Sequence, residues 1–453
     1  MKIGIVGWGL EGKSAFNYFG PNHEYLIVNE TPLDDFPEES AKIKVKYLSG
    51  GRPPGLTGNI SDLSYLNDIE NCDKIVYTPV ARKNLEKLFP DDHSFWQKAT
   101  TNQHIFFETV ATKNVIGVTG TKGKGTTSTL ITRMLEAAGK SVHFGGNVGR
   151  PVLDFVKEVK SDDWVVLELA NFQLYKFPYS PHIAVCLMIT PEHLEWHHDI
   201  DDYVEAKSNI FRHQKSDDIA IFFPNNKLSA KIAAYSPGHK IPYFHPPGVF
   251  VDSGSDIVSD GGKTKIINKE DVKLLGAHNL QNICAAVTTV LQVTDNLDAV
   301  RRILASFTGL EHRLEFVRDL EGVRYYDDSF GTTPDTAIVA MQAFSEPKIM
   351  VLGGHDKGSS FDEMARAVTK SNVRHVIAIG MTAPKIAKLL RDRGFTNITE
   401  GLTTMPEIVA EAQARAHAGD IVLLSTGCSS FGLFKDYKDR GNQFKKAVMA
   451  LPA

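Results

Sequence analysis

The sequence predicts an α/β protein of three domains in series. These are a Rossmann-like N-terminal domain over residues 1–98, a central domain with a mostly parallel sheet over 99–309, and a Rossmann-like C-terminal domain over 310–453. Three observations carry that expectation. Short apolar runs alternate with helical stretches along the whole chain. Several of these runs, among them "NVIGVTG", "DWVVLEL" and "HIAVCLMIT", are too continuous for strands with one wet face and suit a parallel sheet covered by helices. Two strands also run straight into glycine-rich turns that open helices.

The first domain rests on "KIGIVG", "EYLIVNE" and "DKIVYTP". After its first strand, "GIVGWGLEGKS" sets Gly7, Gly9 and Gly12 in the G-x-G-x-x-G spacing that lets a helix N-terminus meet a pyrophosphate. Glu30 takes the place of the acid expected about 20 residues on. At this point a nicotinamide-dependent dehydrogenase remains open.

The central domain opens with a strand, Val115 to Val118, then "GVTGTKGKGTTS", then a helical pattern ended by Gly139. Strand, glycine-rich turn and helix form a phosphate loop, which makes the domain P-loop ATPase-like. Gly120, Thr121, Lys122, Gly123, Lys124, Gly125, Thr126 and Thr127 are its nucleotide-binding candidates, with Lys124 on the β and γ phosphates. The spelling departs twice from G-x-x-x-x-G-K-[ST]. Val118 replaces the first glycine and Gly125 the hydroxyl residue, so Thr126, one place late, becomes the expected Mg2+ ligand. The bland alternative is a glycine-rich turn that binds nothing.

Glu168 ends the next strand, at the carboxyl edge where open α/β sheets gather ligands, and suits the Mg2+ carried by ATP. Residues 190–211 carry His193, His197 and His198. The i, i+4 spacing of His193 and His197 would suit zinc, but no Glu follows His193 as H-E-x-x-H requires. Lys207, taken alone, reads as an exposed helix lysine. Residues 244–275, rich in Gly, Pro and Asp, read as loops and short hairpins. The third domain repeats the alternation with "GVRYYDD", "KIMVLGG", "HVIAIG" and "DIVLLST" between helical segments.

Composition narrows the function. The 453 residues are 42% hydrophobic and 23% charged, with a net charge of −4, as in a soluble globular protein. The charges are mixed along the chain, so neither nucleic acid nor an anionic membrane is an expected partner. Four scattered cysteines without a CxxC pair suggest reduced thiols in the cytoplasm. The start, "MKIGIVGWG", reads as a strand and glycine turn rather than a secretory signal, and no run of about 18 apolar residues follows.

In order along the chain, "GTKGKGTTS", "GGNVG", "ELANFQL", "PEHLEWH", "YVEAKSNIF", "LLGAHNLQN", "HRLE", "DDSFGTTP" and "GGHDKGSSF" resemble the Mur ligases, which build the peptide of peptidoglycan. "GWGLEGKS", "GGHDKG" and the tail "LLSTGCSSFGLFKDYKDRGNQF" are most similar to the branch that adds D-glutamate to UDP-N-acetylmuramoyl-L-alanine. The altered phosphate loop resembles that of folylpolyglutamate synthase, a related ligase. The resemblance implies a monomeric cytoplasmic enzyme using ATP and Mg2+, in which an acyl phosphate on the muramoyl substrate is attacked by the incoming amine. It further implies closure of the last domain during catalysis.

By the same resemblance Lys124, Glu168, His193 and Lys207 are catalytic. Thr126 and Glu168 would hold one Mg2+, and His193 and a carbamylated Lys207 a second. Asn279, Asn282, Arg313 and Asp328 match ATP-contacting positions, with Arg313 on phosphate and Asp328 near the ribose. Gly9, Leu10 and Glu11 would meet the uridine diphosphate, Asn29 or Glu30 the uracil, Thr78 the nucleotide, and Asn147 the substrate near the reacting centre. Thr332, Lys357, Ser430, Phe431 and Tyr437 would receive the amino acid.

The chain departs from the family's wording at three places. D-glutamate ligases typically read S-K-A-T-N where this chain has Ser329, Phe330, Gly331, Thr332 and Thr333, so the carboxylate-binding lysine is replaced by Phe330. A charge-assisted hydrogen bond of that kind is worth about 1.5–3 kcal/mol. Ala170 and Asn171 stand where two serines are usual, and Val80 replaces the glycine of a Ser-Pro-Gly turn.

Overall fold

The computed structural model describes residues 1–33, 35–48, 62–274, 276–355 and 359–452. The chain divides into two compact units, Met1–Lys273 with Ala277–Phe307, and Leu274–Gly276 with Thr308–Ala453. Among the described residues no helix is long and apolar enough to cross a membrane.

The first unit contains two parallel sheets. One is built from β1 (Lys2–Val6), β2 (Glu24–Asn29), β3 (Ile43–Tyr47), β4 (Lys74–Tyr77) and β5 (Ala99–Thr100), in the order β3-β2-β1-β4-β5. Because β5 pairs with β4, the first sheet runs two residues past position 98. The other sheet comprises β6 (Val115–Thr119), β7 (Val142–Gly146), β8 (Trp164–Glu168), β9 (Ile183–Cys186), β10 (Ile219–Phe222) and β11 (His239–Pro242), in the order β11-β10-β9-β6-β8-β7. β6 is buried along its whole length, as its unbroken apolar run requires of a central parallel strand. The Gly/Pro/Asp-rich stretch folds into a small antiparallel sheet of β12 (Phe250–Val251), β13 (Asp256–Ser259) and β14 (Thr264–Asn268).

The two parallel sheets of this unit are not independent. One apolar core takes in Ala15 and Val76 of the first sheet's layer together with Ile105, Phe106, Phe155, Leu167 and Phe177 of the second. Polar bonds cross the same seam, including Ser14 Oγ donating to Asp154 at 2.6 Å and Lys83 paired with Asp202 at 3.0 Å.

The second unit holds β15 (Glu315–Leu320), β16 (Val323–Asp327), β17 (Lys348–Gly353), β18 (Val373–Ile379), β19 (Ile398–Thr399) and β20 (Ile421–Leu424), ordered β15-β16-β20-β17-β18-β19. All pairs are parallel except the β15–β16 hairpin at one edge. The loops after β16, β20 and β17 therefore emerge side by side at one edge of the sheet, where ligands of open α/β sheets gather. Its helices start at local signals. Asp436 caps Tyr437–Met449 by accepting from Asp439 N at 2.8 Å, and Thr404 with Glu407 forms a capping box before Met405–Arg415.

Candidate active site

The phosphate turn lies between β6 and the helix Lys124–Ala137. Gly120 and Gly123 adopt φ of +148° and +87°, conformations that side chains rarely take. A Cβ on Gly123 would stand 2.2 Å from Asn282 Oδ1, so the turn and Asn282 touch directly. Asn282 in turn donates to Asn279 Oδ1 at 2.8 Å. No side chain caps the helix, whose first N–H groups face the turn, and Thr126 and Thr127 are buried on its first turn. Among the described residues the Thr127 hydroxyl has no partner. An uncapped helix start and an unpartnered buried hydroxyl fit an anionic phosphate chain with its cation.

Lys124 folds back to donate to the carbonyls of Gly120 at 3.0 Å and Thr121 at 2.9 Å. Lys207 is 1% exposed, which overturns the reading of an exposed helix lysine. Its helix, Ile200–Arg212, turns this position inward, and the amine donates to Gly120 O at 3.0 Å over the ring of Tyr203. Burial and the nearby Lys124 charge push the Lys207 amine down to about 7. An amine in that range is substantially uncharged at neutral pH and able to attack CO2, so the side chain fits carbamylation.

Glu168 pairs in register with Val118 on one side and Gly146 on the other, which sets it beside the root of the phosphate turn. It is buried, and its Oε1 accepts from Asn147 Nδ2 at 2.7 Å. His193 lies in the loop before Ile200–Arg212, at φ +57°, with Nδ1 3.2 Å from Glu195 and its ring against Phe172. Since neither His193 nor His197 is helical, the one-face zinc pair does not form. His197 is buried and spent on both ring nitrogens: Asn171 donates to Nε2 at 2.8 Å, leaving Nδ1–H to donate to Asp202 at 3.0 Å. Burial holds its pKa below the ordinary histidine range. Asn171, which stands where the family has serine, thus orients His197.

At the N-terminal turn, Gly9 starts the helix Leu10–Phe19 without a side-chain cap, and Thr78 packs against Gly7. Leu10 is exposed. Glu11 accepts from Gln103 at 2.7 Å and Gln173 at 3.0 Å, and burial raises its pKa. Asn29 uses its amide internally, accepting from Trp8 N and donating to Thr31 O. Glu30 accepts from Asn84 at 3.3 Å.

In the second unit the candidates converge on the loops after β16 and β20. Asp328 accepts from Leu314 N at 3.2 Å and from Ser425 Oγ at 2.6 Å, and burial lifts its pKa to about 6. Phe330 lies between Arg313, whose guanidinium carbon is 4.5 Å from the ring centroid, and Tyr437, whose ring meets it edge-on at 5.3 Å. Thr332 is half-buried, Ser430 buried and Phe431 exposed beside His355. Lys357 lies outside the described residues.

One residue of this region escaped sequence reasoning. Arg440 is fully buried and donates to Ser329 Oγ at 2.8 Å, Ser329 O at 2.7 Å and Cys428 O at 3.1 Å, while Ser329 Oγ donates to Tyr437 O. It ties the loop bearing Phe330 to the loop after β20. Its burial was hidden in the charged run "KDYKDRGNQF", where it reads as surface.

Residues 118–290 match the family model described as the Mur ligase middle domain, and residues 312–428 that described as Mur ligase, glutamate ligase domain. The chain is 34% identical to the UDP-N-acetylmuramoylalanine--D-glutamate ligase of Acetivibrio thermocellus, over 100% of its length and 97% of that protein. The protein of the same name from Clostridioides difficile is 32% identical over 99% of this chain and 98% of its own. The solved structure of the UDP-N-acetylmuramate-alanine ligase MurC from Thermotoga maritima shares the fold, with a TM-score of 0.58 at 17% identity and 99% of each chain covered.

Proposed function

The chain belongs to the Mur ligase family, and from that premise we propose that it joins D-glutamate to UDP-N-acetylmuramoyl-L-alanine in the cytoplasm, as a monomer, at the expense of ATP. It is an ATP-dependent, amide-forming ligase that works with Mg2+. The structural observation that best supports the reading is the pair of lysines on the Gly120 carbonyl beside Glu168, directly ahead of an uncapped helix.

In this reading residues 1–98 take the uridine diphosphate through the turn at Gly9 and Leu10, with Thr78 behind it. Residues 99–309 take ATP and residues 310–453 the amino acid. Mg2+ supplies charge neutralisation at the transferred phosphoryl group. Thr126 and Glu168 are the proposed ligands of one Mg2+, His193 and carbamylated Lys207 those of a second, and Lys124 would lie against the phosphates. Glu168 also fixes Asn147, which keeps that amide directed near the reacting carboxylate.

The muramoyl carboxylate oxygen bonds to the γ-phosphorus as ADP leaves. The amine of D-glutamate then attacks the acyl carbon, losing a proton as phosphate departs. Preorganised donors and cations act where the crowded negative charge develops. Thr332, Ser430, Phe431 and Tyr437 are proposed to hold the acceptor. Glu11 and Asn29, both engaged internally, are proposed to shape the uridine site rather than to read it.

Phosphate release from ATP, measured with Mg2+, the muramoyl substrate and separate D-glutamate, L-glutamate, diaminopimelate, L-lysine or D-aspartate, tests the proposal, with products weighed by mass spectrometry. Turnover and a dipeptide product with D-glutamate alone are expected. Turnover with another acceptor would reassign the amino acid, and none at all would remove the muramoyl substrate.

A further inference from the structure

We propose that the cavity beside β5, the edge strand of the first sheet, is a binding site for a small carboxylate, separate from the turns at Gly9 and Gly120. The cavity measures about 470 Å3. It is bordered by the amino end of β4, by β5, and by the helices Arg82–Leu88, His93–Lys98 and Asn102–Thr109. That size is ordinary for a small-molecule site. Among the described residues, none from either glycine turn lines it.

Arg82 is the group best placed to recognise an anion. Only 14% of its side chain is exposed, and the guanidinium is held in one orientation. Its carbon lies 4.3 Å from the Trp96 ring centroid, Nε donates to Glu86 at 3.0 Å and Nη1 donates to the Tyr77 hydroxyl at 2.6 Å. The Glu86 oxygen that it meets is shared with Lys176 at 2.8 Å, so one carboxylate serves two cations. Nη2 has no partner among the described residues. A guanidinium that is buried, oriented and unspent at one nitrogen suits the planar oxygens of a carboxylate, and its support on Trp96 lowers the ordering cost of binding.

His104 supplies a second, uncharged contact on the same cavity. Its ring packs on Phe177 at 5.2 Å and Tyr179 at 6.1 Å, and its nitrogens make no hydrogen bond among the described residues. Burial, and then the Arg82 charge, push its pKa down to about 4. At neutral pH the ring therefore offers one N–H without adding charge.

The balance of charge sets the ligand class. The lining carries Lys74, Arg82 and Lys98 against Asp73 and Glu108, an excess of one positive charge. Both acids are already engaged, Asp73 accepting from Lys2 N at 2.7 Å and Glu108 from the Tyr179 hydroxyl at 3.1 Å. A monoanion offsets the excess, whereas a phosphate dianion would overshoot it and leave charge uncompensated.

The test uses the full chain with benzoate as probe, benzamide as its uncharged counterpart and inorganic phosphate as competitor. Saturation-transfer NMR reads binding, with and without Mg2+, a non-hydrolysable ATP analogue and the muramoyl substrate. Benzoate should saturate with a dissociation constant on the order of 1 mM, unaffected by nucleotide or muramoyl substrate, and benzamide should bind at least about 10-fold more weakly. Phosphate should displace benzoate only at concentrations about 10-fold higher than benzoate itself needs. R82Q should weaken benzoate by about 10-fold or more, the scale of a lost charge-assisted hydrogen bond. H104F, which keeps a ring against Phe177 without its nitrogens, should weaken it by roughly 2- to 10-fold. Thermal unfolding checks that each variant folds, and if R82Q does not, H104F decides. The proposal is overturned if benzoate fails to saturate below about 50 mM, if benzamide or phosphate binds as tightly, if nucleotide or muramoyl substrate displaces benzoate, or if the folded variants bind it like the parent chain.

Discussion

Lys124 and Lys207 donate to the same acceptor, the carbonyl of Gly120, each at 3.0 Å. Two ammonium groups sharing one oxygen repel, and the cost of charge is greater for the one cut off from water. Lys207, the buried one, yields, at about 7.

Lys207 is therefore expected to take up CO2. Protein equilibrated with 13C-bicarbonate should show a carbamate carbon signal that K207R lacks. K207R should lose at least about 100-fold in kcat, the scale of losing one aligned group at a developing charge. An unlabelled parent chain with full activity would sink the idea.

G123A should both strain the turn and push Asn282 away. Forcing a Cβ onto φ +87° costs about 1–2 kcal/mol before the 2.2 Å clash is counted. Calorimetry should show nucleotide affinity down by more than about 10-fold, since the amide groups that face phosphate move with the turn. Unchanged affinity would mean that phosphate binds elsewhere.

Asp328 makes the stability of the second unit depend on pH in a defined direction. Its pKa is raised from 3.8 to about 6 by burial, so between those values the folded chain keeps a proton that the unfolded chain has released. Stability from this group is present at low pH and is lost as pH rises through about 6, by on the order of 3 kcal/mol for a shift of about two units. D328N should gain on the parent chain between about pH 4 and pH 7 in urea unfolding, following that linkage. A constant difference would contradict it.

R440M should destabilise the second unit by about 3 kcal/mol or more, because it leaves the buried acceptors on Ser329 and Cys428 unpartnered, at roughly 1–3 kcal/mol each. R440K should recover part of that stability yet raise KM for D-glutamate, because an ammonium cannot span Ser329 and Cys428 as the guanidinium fork does. Equal KM values would confine Arg440 to stability.

What could be read from the sequence followed from local pattern. The parallel strands, the phosphate turn and the strand-end Glu168 are each written in a few consecutive residues, so periodicity and glycine spacing reveal them. What stayed hidden depends on partners distant in the chain. Lys207 stands among charged neighbours in "YVEAKSNIF", and only the packing of its helix on β6 and β9 makes it a buried amine. Arg440 is masked by the charges around it. Asn29 and Glu11 occupy the places where nucleotide contacts are expected, yet Trp8 in one case and Gln103 with Gln173 in the other claim their polar atoms. The departure at Phe330 was visible at once, but its relation to Arg313 needed the turn that brings residues 17 apart in sequence face to face.

The core shared by Ala15, Val76 and the central sheet bears on how this chain can be cut. Although the sequence divides near residue 98, scissors placed there would strip Phe106, Phe155 and Phe177 of apolar cover and leave Glu11 without its two amides. A recombinant head ending at that point would be a sticky fragment rather than a portable uridine-binding module, and an exchange of heads between relatives would have to carry the matching face of the neighbouring layer with it.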